Sequence, residues 1–345
     1  MPPYILGVVL HAIGGFAAGS FYAPLKKVQR WSWESSWMVM GVAAWIFAPW
    51  VVALLTTPQL MEVLTESDAK TILWTYFFGV LWGIGGLTYG LSVRYLGMAL
   101  GCSVALAFCM VFGALIPVIH EGKFEAMVES SSGKYVLVGV LVCLFGIAVC
   151  GWAGYRKEAE VPAAGEGVRE FKLTTGFAVA TFAGILSSCM SFAFTAGAPI
   201  ADLSAKLGTD PLYKNNAVLI VVLIGGFTTN AIWCLILNTR NKSFGDYRSK
   251  ASALNYGLSM LAGVVWYLQF FFYGMGASEL GKLEGDYEAS SWAIHMAFII
   301  VFSNLWGVVF REWRGTSGKT RGMVWAGILI LIASTVVIAY GRHIE

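Results

Sequence analysis

The chain has 345 residues, 57% of them apolar and 12% charged, with a mean hydropathy of +0.69. Soluble domains average about 45–50% apolar and about 25% charged. This supply of charge excludes a soluble domain, a disordered chain and a nucleic-acid binder, and a net charge of +3 defines no anionic partner.

Ten stretches carry no Asp, Glu, Lys or Arg. In chain order they are 1–25, 35–61, 71–93, 95–120, 135–155, 173–201, 215–239, 251–278, 289–310 and 322–341. About 20 apolar residues cross the ~30 Å hydrocarbon core as a helix. A helix satisfies its own backbone hydrogen bonds in lipid. The chain therefore reads as an all-α integral membrane protein with ten transmembrane helices. Ten-residue alternating segments are absent, which argues against a membrane barrel. The first stretch opens Met1-Pro2-Pro3-Tyr4 with no Lys or Arg. It thus lacks the positive n-region of a cleaved signal peptide and reads as a span.

Of the 23 Lys and Arg residues, 16 fall in loops after odd-numbered spans and 7 in even loops and termini. Positive charge is retained on the cytoplasmic side, so both termini are expected outside. The six cysteines (Cys102, Cys109, Cys143, Cys150, Cys189, Cys234) lie in apolar runs with no CxxC pair. They read as packing residues rather than a metal site or disulfide framework.

The chain contains an echo of itself. Residues 82–97 read WGIGGLTYGLSVRYLG and residues 266–281 read WYLQFFFYGMGASELG. At a constant offset of 184, Trp82 meets Trp266, Tyr89 meets Tyr273, Gly90 meets Gly274, Gly97 meets Gly281 and Gly79 meets Gly263. A weaker echo links Ser20-Phe21 with Ser191-Phe192. The expected division is a first five-helix repeat over 1–153, a polar linker over 154–172 and a second repeat over 173–345. An odd number of crossings inverts the second copy. Inverted repeats are the architecture of many secondary transporters, with the substrate near the midplane.

Small residues four apart, as in Gly15-x3-Gly19, Gly79-x3-Gly83, Gly86-x3-Gly90 and Gly97-x3-Gly101, allow close helix packing. Neither Gly83-Ile84-Gly85 nor Gly318-Lys319-Thr320 completes a nucleotide-binding motif, so no cofactor and no direct use of ATP is expected. His11 and His295 are the ionisable residues well inside spans. Such residues are costly in lipid and are functional candidates. Histidine changes charge near physiological pH, so both are candidates to carry a coupling proton. Glu34 and Asp286, with Glu288, are the carboxylates expected to share it. A neutral histidine bonded to another helix is the alternative reading. His120 and His343 sit at span boundaries.

Aromatic and amide residues also cluster: Tyr22, Trp82, Tyr89, Asn230, Trp266, Gln269, Tyr273 and Trp292, with Asn304 and Tyr267 nearby in sequence. Sugars are bound by such a mixture, because an aromatic face covers C–H groups while amides, phenols and imidazoles bond hydroxyls. Trp31, Trp33, Trp37, Trp74 and Trp313 lie near span ends and are assigned to the interfacial belt.

The segments FYAPLKKVQRWSWE (21–34), WGIGGLTYGLSVRYLGMALG (82–101), GTDPLY (208–213), WYLQFFFYGMG (266–276), SWAIHM (291–296) and REW (311–313) resemble the bacterial L-rhamnose–proton symporter family. That family belongs to the drug/metabolite transporter superfamily, and the resemblance runs over essentially the whole chain. It implies an inner-membrane protein of ten helices importing L-rhamnose with a proton. The loop 277–289 (ASELGKLEGDYEA) departs from the family pattern and is more acidic, which leaves a related monosaccharide open. The superfamily commonly places its N-terminus in the cytoplasm, whereas the charges here place it outside. Other readings are a superfamily transporter of another small metabolite, a non-transporting sugar sensor and a membrane-embedded enzyme. An exporter of organic cations would call for a mid-span Asp or Glu, and the sequence has none.

Overall fold

The computed structural model describes residues 1–96, 98–161, 173–249, 252–282, 288–311 and 313–341. Ten helical spans cross it: α1 (Pro3–Leu25), α2 (Trp33–Thr56), α3 (Ala69–Ser92), α4 (Gly101–His120), α5 (Ser131–Lys157), α6 (Thr174–Lys206), α7 (Pro211–Asn241), α8 (Ala253–Leu280), α9 (Ser290–Val309) and α10 (Gly318–Gly341). Among the described residues there is no strand. Two short helices, Leu60–Glu66 and Phe124–Glu129, fill the second and fourth loops. The boundary expected at residue 154 falls inside a helix, because α5 continues unbroken to Glu160. None of the six cysteines is in a disulfide among the described residues, and five of them are buried.

The helices pack in a pattern that repeats five helices on. α1 packs on α8 and α9, and α6 packs on α3 and α4. α2 packs on α8, and α7 packs on α3. α4 leans on α5 as α9 leans on α10, while α5 meets α10, α4 meets α9 and α2 meets α7. Gly79 of α3 lies directly against the Val222 carbonyl of α7, and Gly263 of α8 directly against the Met40 carbonyl of α2. A side chain at either position would hold the backbones apart. The other small-residue pairs divide. Gly15 and Gly19 abut Phe298 and Phe302 of α9, Gly83 abuts α7, and Gly86 and Gly90 face open space.

Contacts between loops define the two faces. Lys26 lies over the Phe310 ring at 4.8 Å, and Lys157 over the Trp313 ring at 5.0 Å. The Ser32 backbone N–H donates to Asp246 at 2.8 Å. The first, fifth, seventh and ninth loops therefore share one face, here the odd-loop face. On the opposite, even-loop face, Gly7 abuts Leu280 and Gly341 abuts Tyr135. Both ends of the described chain thus lie on the even-loop face.

One carboxylate starts α10. Glu160 accepts from the Ser317 backbone N–H (2.6 Å), the Ser317 hydroxyl (2.9 Å), the Thr320 hydroxyl (2.7 Å) and Arg156 (3.1 Å). Ser317 in turn accepts from the Thr320 N–H at 3.2 Å, an N-cap bond. These donors hold the Glu160 carboxyl down to about 2, led by the Ser317 N–H and then the Thr320 hydroxyl. A carboxyl lowered on folding contributes stability above its unfolded value and loses it as pH falls through the folded one. The Glu160→Ala variant should therefore melt below the parent protein at neutral pH, with the gap closing only as pH falls from 4.5 toward about 2. Melting curves at a series of pH values check this. A gap already closed at 4.5 contradicts the assignment.

Candidate functional site

Three helices bring their polar faces to one point in the core. On α8, Trp266, Gln269, Phe270 and Tyr273 recur at i, i+3, i+4 and i+7, which is one helical face. All four are buried. On α9, Trp292 and His295 share a face in the same way, and α1 supplies His11. The His11 and His295 ring centroids stand 5.8 Å apart. Tyr273 touches both, at 5.4 Å from His11 and 5.1 Å from His295. Trp292 closes on Tyr273 edge-on at 5.8 Å, and its indole N–H donates to the Cys109 carbonyl of α4 at 3.1 Å. Gly276 gives His11 its seat, since a Cβ there would lie 2.9 Å from Nε2.

The two imidazoles are 0% and 1% exposed, and none of their four nitrogens has a hydrogen-bond partner among the described residues. Buried polar atoms are normally paired, and each one left unpaired costs about 1–3 kcal/mol. Two rings from different helices meet in this condition at the centre of the fold.

An aromatic ladder leads away from the pair. His295 packs on Phe270 at 6.3 Å, and Phe270 on Trp266 at 5.2 Å. Trp266 reaches Trp82 at 5.7 Å and Trp45 at 5.4 Å, and the ladder continues through Trp37 to Trp33. Trp82 and Trp266, which pair at the 184-residue offset in the sequence, are thus in contact. Trp45 is the residue that sequence reasoning missed. It sits on a π-helical turn, Val42–Phe47, whose wider winding re-aims side chains. Its indole N–H is buried without a partner among the described residues. A tryptophan at mid-span, far from either interface, was the available signal. Phe194 and Phe270 were missed as well, because nothing in an apolar helix distinguishes one Phe from another.

The remaining candidates scatter. Gln269 is buried and donates to the Trp266 carbonyl of its own helix at 3.0 Å. Asn230 accepts from the Trp37 indole at 3.0 Å and donates to the Gly226 carbonyl at 2.9 Å, so it orients the ladder. Trp37, assigned to the interfacial belt, belongs to that ladder instead. Trp313, also assigned to the belt, is buried against Lys157. Tyr22 stands apart, 46% exposed and packed edge-on against Phe21. Asp286 lies outside the described residues.

Glu34 is buried away from both histidines' bonding reach. It accepts from Ser243 at 2.7 Å and Asn241 at 3.0 Å, at the end of α7. Next to it, Asp246 accepts from the Ser32 N–H and the Ser35 hydroxyl, each at 2.8 Å. Asn238 links the two carboxylates, accepting from Ser35 and Ser243 at 3.1 Å each. The expected sharing of a proton between Glu34 and a histidine thus has no contact to carry it. Sequence alone placed the two in one half of the chain, but Glu34 opens α2 at the odd-loop face.

Two cavities approach the histidine pair from opposite faces. One, of about 370 Å3, is bounded by Phe194, Asn215, Tyr273, Ser278 and Ser291, with Lys123, Asp202 and Lys214 toward the even-loop face. The other, of about 350 Å3, is bounded by Tyr89, Cys102, Ser103, Asn304 and Trp313, with Lys157 toward the odd-loop face. On α9 their linings, at Ser291 and Ile299, stand eight positions apart, about 12 Å at 1.5 Å per residue. Trp292 and His295 lie within that partition.

Similarity to known proteins runs the length of the chain. The chain is 36% identical over 341 residues to a protein of Cronobacter sakazakii named L-rhamnose-proton symporter, with 97% of each covered. Proteins of the same name from an Enterobacter species and from Shigella sonnei are each 35% identical, again with 97% of each chain covered. A family profile described as L-rhamnose-proton symport protein matches residues 2–343, and the chain belongs to that family.

Proposed function

We propose that this protein is a secondary active transporter that imports L-rhamnose, or a closely related monosaccharide, with a proton. The observation that carries the reading is the His11–His295 pair, buried between two cavities on opposite faces, with unpartnered ring nitrogens. Family membership supports the substrate, since the relatives are named for L-rhamnose and a proton.

The chemistry follows from the geometry. Tyr273, Trp292, Trp266 and Trp82 offer aromatic faces for the C–H side of a pyranose. Gln269, the Tyr273 phenol and the imidazoles offer hydroxyl partners. Two unit charges 5.8 Å apart repel by about 3 kcal/mol at an effective dielectric of about 20. The pair therefore takes up one proton rather than two. A proton at one imidazole turns an acceptor into a donor beside the sugar, which makes sugar affinity depend on protonation. A ligand shifts the equilibrium between two conformations only by its differential affinity for them. In the parent protein the proton and the sugar together favour the crossing, and removing an imidazole uncouples the sugar from the proton. At a membrane potential of roughly 180 mV, one proton carries about 4 kcal/mol, enough for roughly thousandfold accumulation.

The alternation is read as the exchange of two inverted halves. Support comes from the packing, in which every helix contact described above has a counterpart five helices on. Counterpart residues also behave alike: Gly79 and Gly263 each seat a neighbouring backbone, and Tyr89 and Tyr273 each line one cavity. The reading contains no catalytic step. It places the protein in the bacterial inner membrane, with the odd-loop face in the cytoplasm and both termini in the periplasm.

Purified protein in sealed liposomes with an imposed pH gradient, acid outside, should accumulate L-rhamnose. Recovery of chemically altered sugar would mark an enzyme, and binding without flux a sensor. The His11→Ala and His295→Ala variants should each lose accumulation and reach only equilibration, while sugar exchange down its own gradient persists. If both variants accumulate sugar as the parent does, the pair does not carry the coupling. Orientation is tested separately with a membrane-impermeant thiol reagent on intact cells. Glu125→Cys should label at once and Lys319→Cys only after lysis; the reverse places the termini in the cytoplasm.

A further inference from the structure

We infer that the cavity on the odd-loop face is a second monosaccharide subsite, distinct from the histidine pair, in which Tyr89 and Trp313 take the ring and Asn304 and Ser103 take hydroxyls. The inference rests on the sugar-transport reading above and adds to it a resting place beyond the partition.

Size comes first. The cavity measures about 350 Å3, close to the 370 Å3 of the cavity on the other face. Small-molecule pockets begin near about 300 Å3. The lining comes second. Apolar wall is supplied by Ala18, Leu106, Ile147 and Ile299, and polar groups stand at Ser103, Ser303 and Asn304. An apolar pocket with a few convergent hydroxyls and one amide suits a deoxy sugar, which has both a methyl group and hydroxyls. The polar groups are held in place. Asn304 donates to the Ile300 carbonyl at 2.9 Å, Tyr89 is hydrogen-bonded to Cys102, and Trp313 is pinned under Lys157.

Correspondence comes third. Tyr89 and Tyr273 are counterparts at the 184-residue offset. Tyr273 bounds the even-loop cavity and Tyr89 the odd-loop one. The same residue type, at the same place in each repeat, meets the sugar from opposite faces. The histidines have no such counterparts, since α6, which corresponds to α1, has no histidine, and α4, which corresponds to α9, has one only at its last residue, His120. Coupling is thus confined to one place and sugar recognition is duplicated. A sugar released from the histidine pair toward the odd-loop face meets Tyr89 before it meets water.

Cys102 lines this cavity and is partly exposed, while the other five thiols are buried. It therefore reports occupancy in the otherwise unaltered protein. In proteoliposomes treated with a permeant maleimide, alkylation at Cys102 is followed by peptide mass spectrometry, with and without L-rhamnose. At a sugar concentration of about ten times the dissociation constant, labelling should slow about tenfold. The Asn304→Ala and Ser103→Ala variants should need more sugar for the same protection. They should also raise KM for flux from the odd-loop face more than for flux from the even-loop face. Protection that persists unshifted in both variants means that closure, not occupancy, shields the thiol, and overturns the subsite. Labelling indifferent to sugar while gradient-driven uptake remains intact also overturns the subsite and leaves the transport reading standing. Loss of uptake in the parent protein would instead remove the transport reading itself.

Discussion

A polar atom inside a bilayer has no water to bond, so a membrane protein must supply its partners or leave it unmade. This chain supplies them nearly everywhere along its spans through helical backbone and short-range side-chain bonds. Thr88, Ser188, Thr228 and Asn304 all donate back to carbonyls of their own helices. His11 and His295 depart from that habit most fully, since both ring nitrogens of each are without a partner among the described residues. Everything else in the account follows from two rings that the protein buries and does not satisfy. The close approach of the His11 ring is what requires glycine at position 276.

The fold treats the two ends of the α2–α7 pair differently. At the odd-loop face Glu34 and Asp246 accept charge-assisted bonds that tie the start of α2 to the end of α7. Such bonds are roughly twice as strong as neutral ones. At the even-loop face the corresponding ends meet through a neutral bond, in which Asn216 donates to Thr56 at 2.7 Å. The packing is nearly symmetric and the fastening is not. The even-loop end, beside the cavity that reaches Tyr273, is therefore the more weakly fastened of the two. Glu34, expected in the sequence to handle a proton, has a mechanical place in this asymmetry.

What could be read in the sequence was whatever a single helix reveals about itself. Span number and approximate limits follow from hydropathy, and His11 and His295 are conspicuous because ionisable groups are rare in such segments. Trp266, Gln269 and Tyr273 share a face of one helix, so their grouping follows from spacing alone. Relations between distant helices were harder. Nothing in the chain order places Trp45 against both Trp82 and Trp266, because a π-turn re-aims it. Trp37 and Trp313 sit near span ends, where an interfacial role is the ordinary outcome, yet Asn230 and Lys157 draw them inward. Tyr22 shares its motif with residues around Glu34, but one helical turn carries it to the surface. The 184-residue echo was legible, whereas the pairing of its tyrosines with opposite cavities needed the packed structure.

The most direct measurement follows protons rather than sugar. Liposomes holding the purified protein and a pH-sensitive dye, with the membrane potential clamped at zero, receive external L-rhamnose. The account predicts that the interior acidifies as sugar enters, with one proton per sugar, and that no acidification accompanies sugar in the His11→Gln/His295→Gln double variant. Proton movement of the same size in that variant, or sugar entry in the parent protein without any change in internal pH, would contradict it.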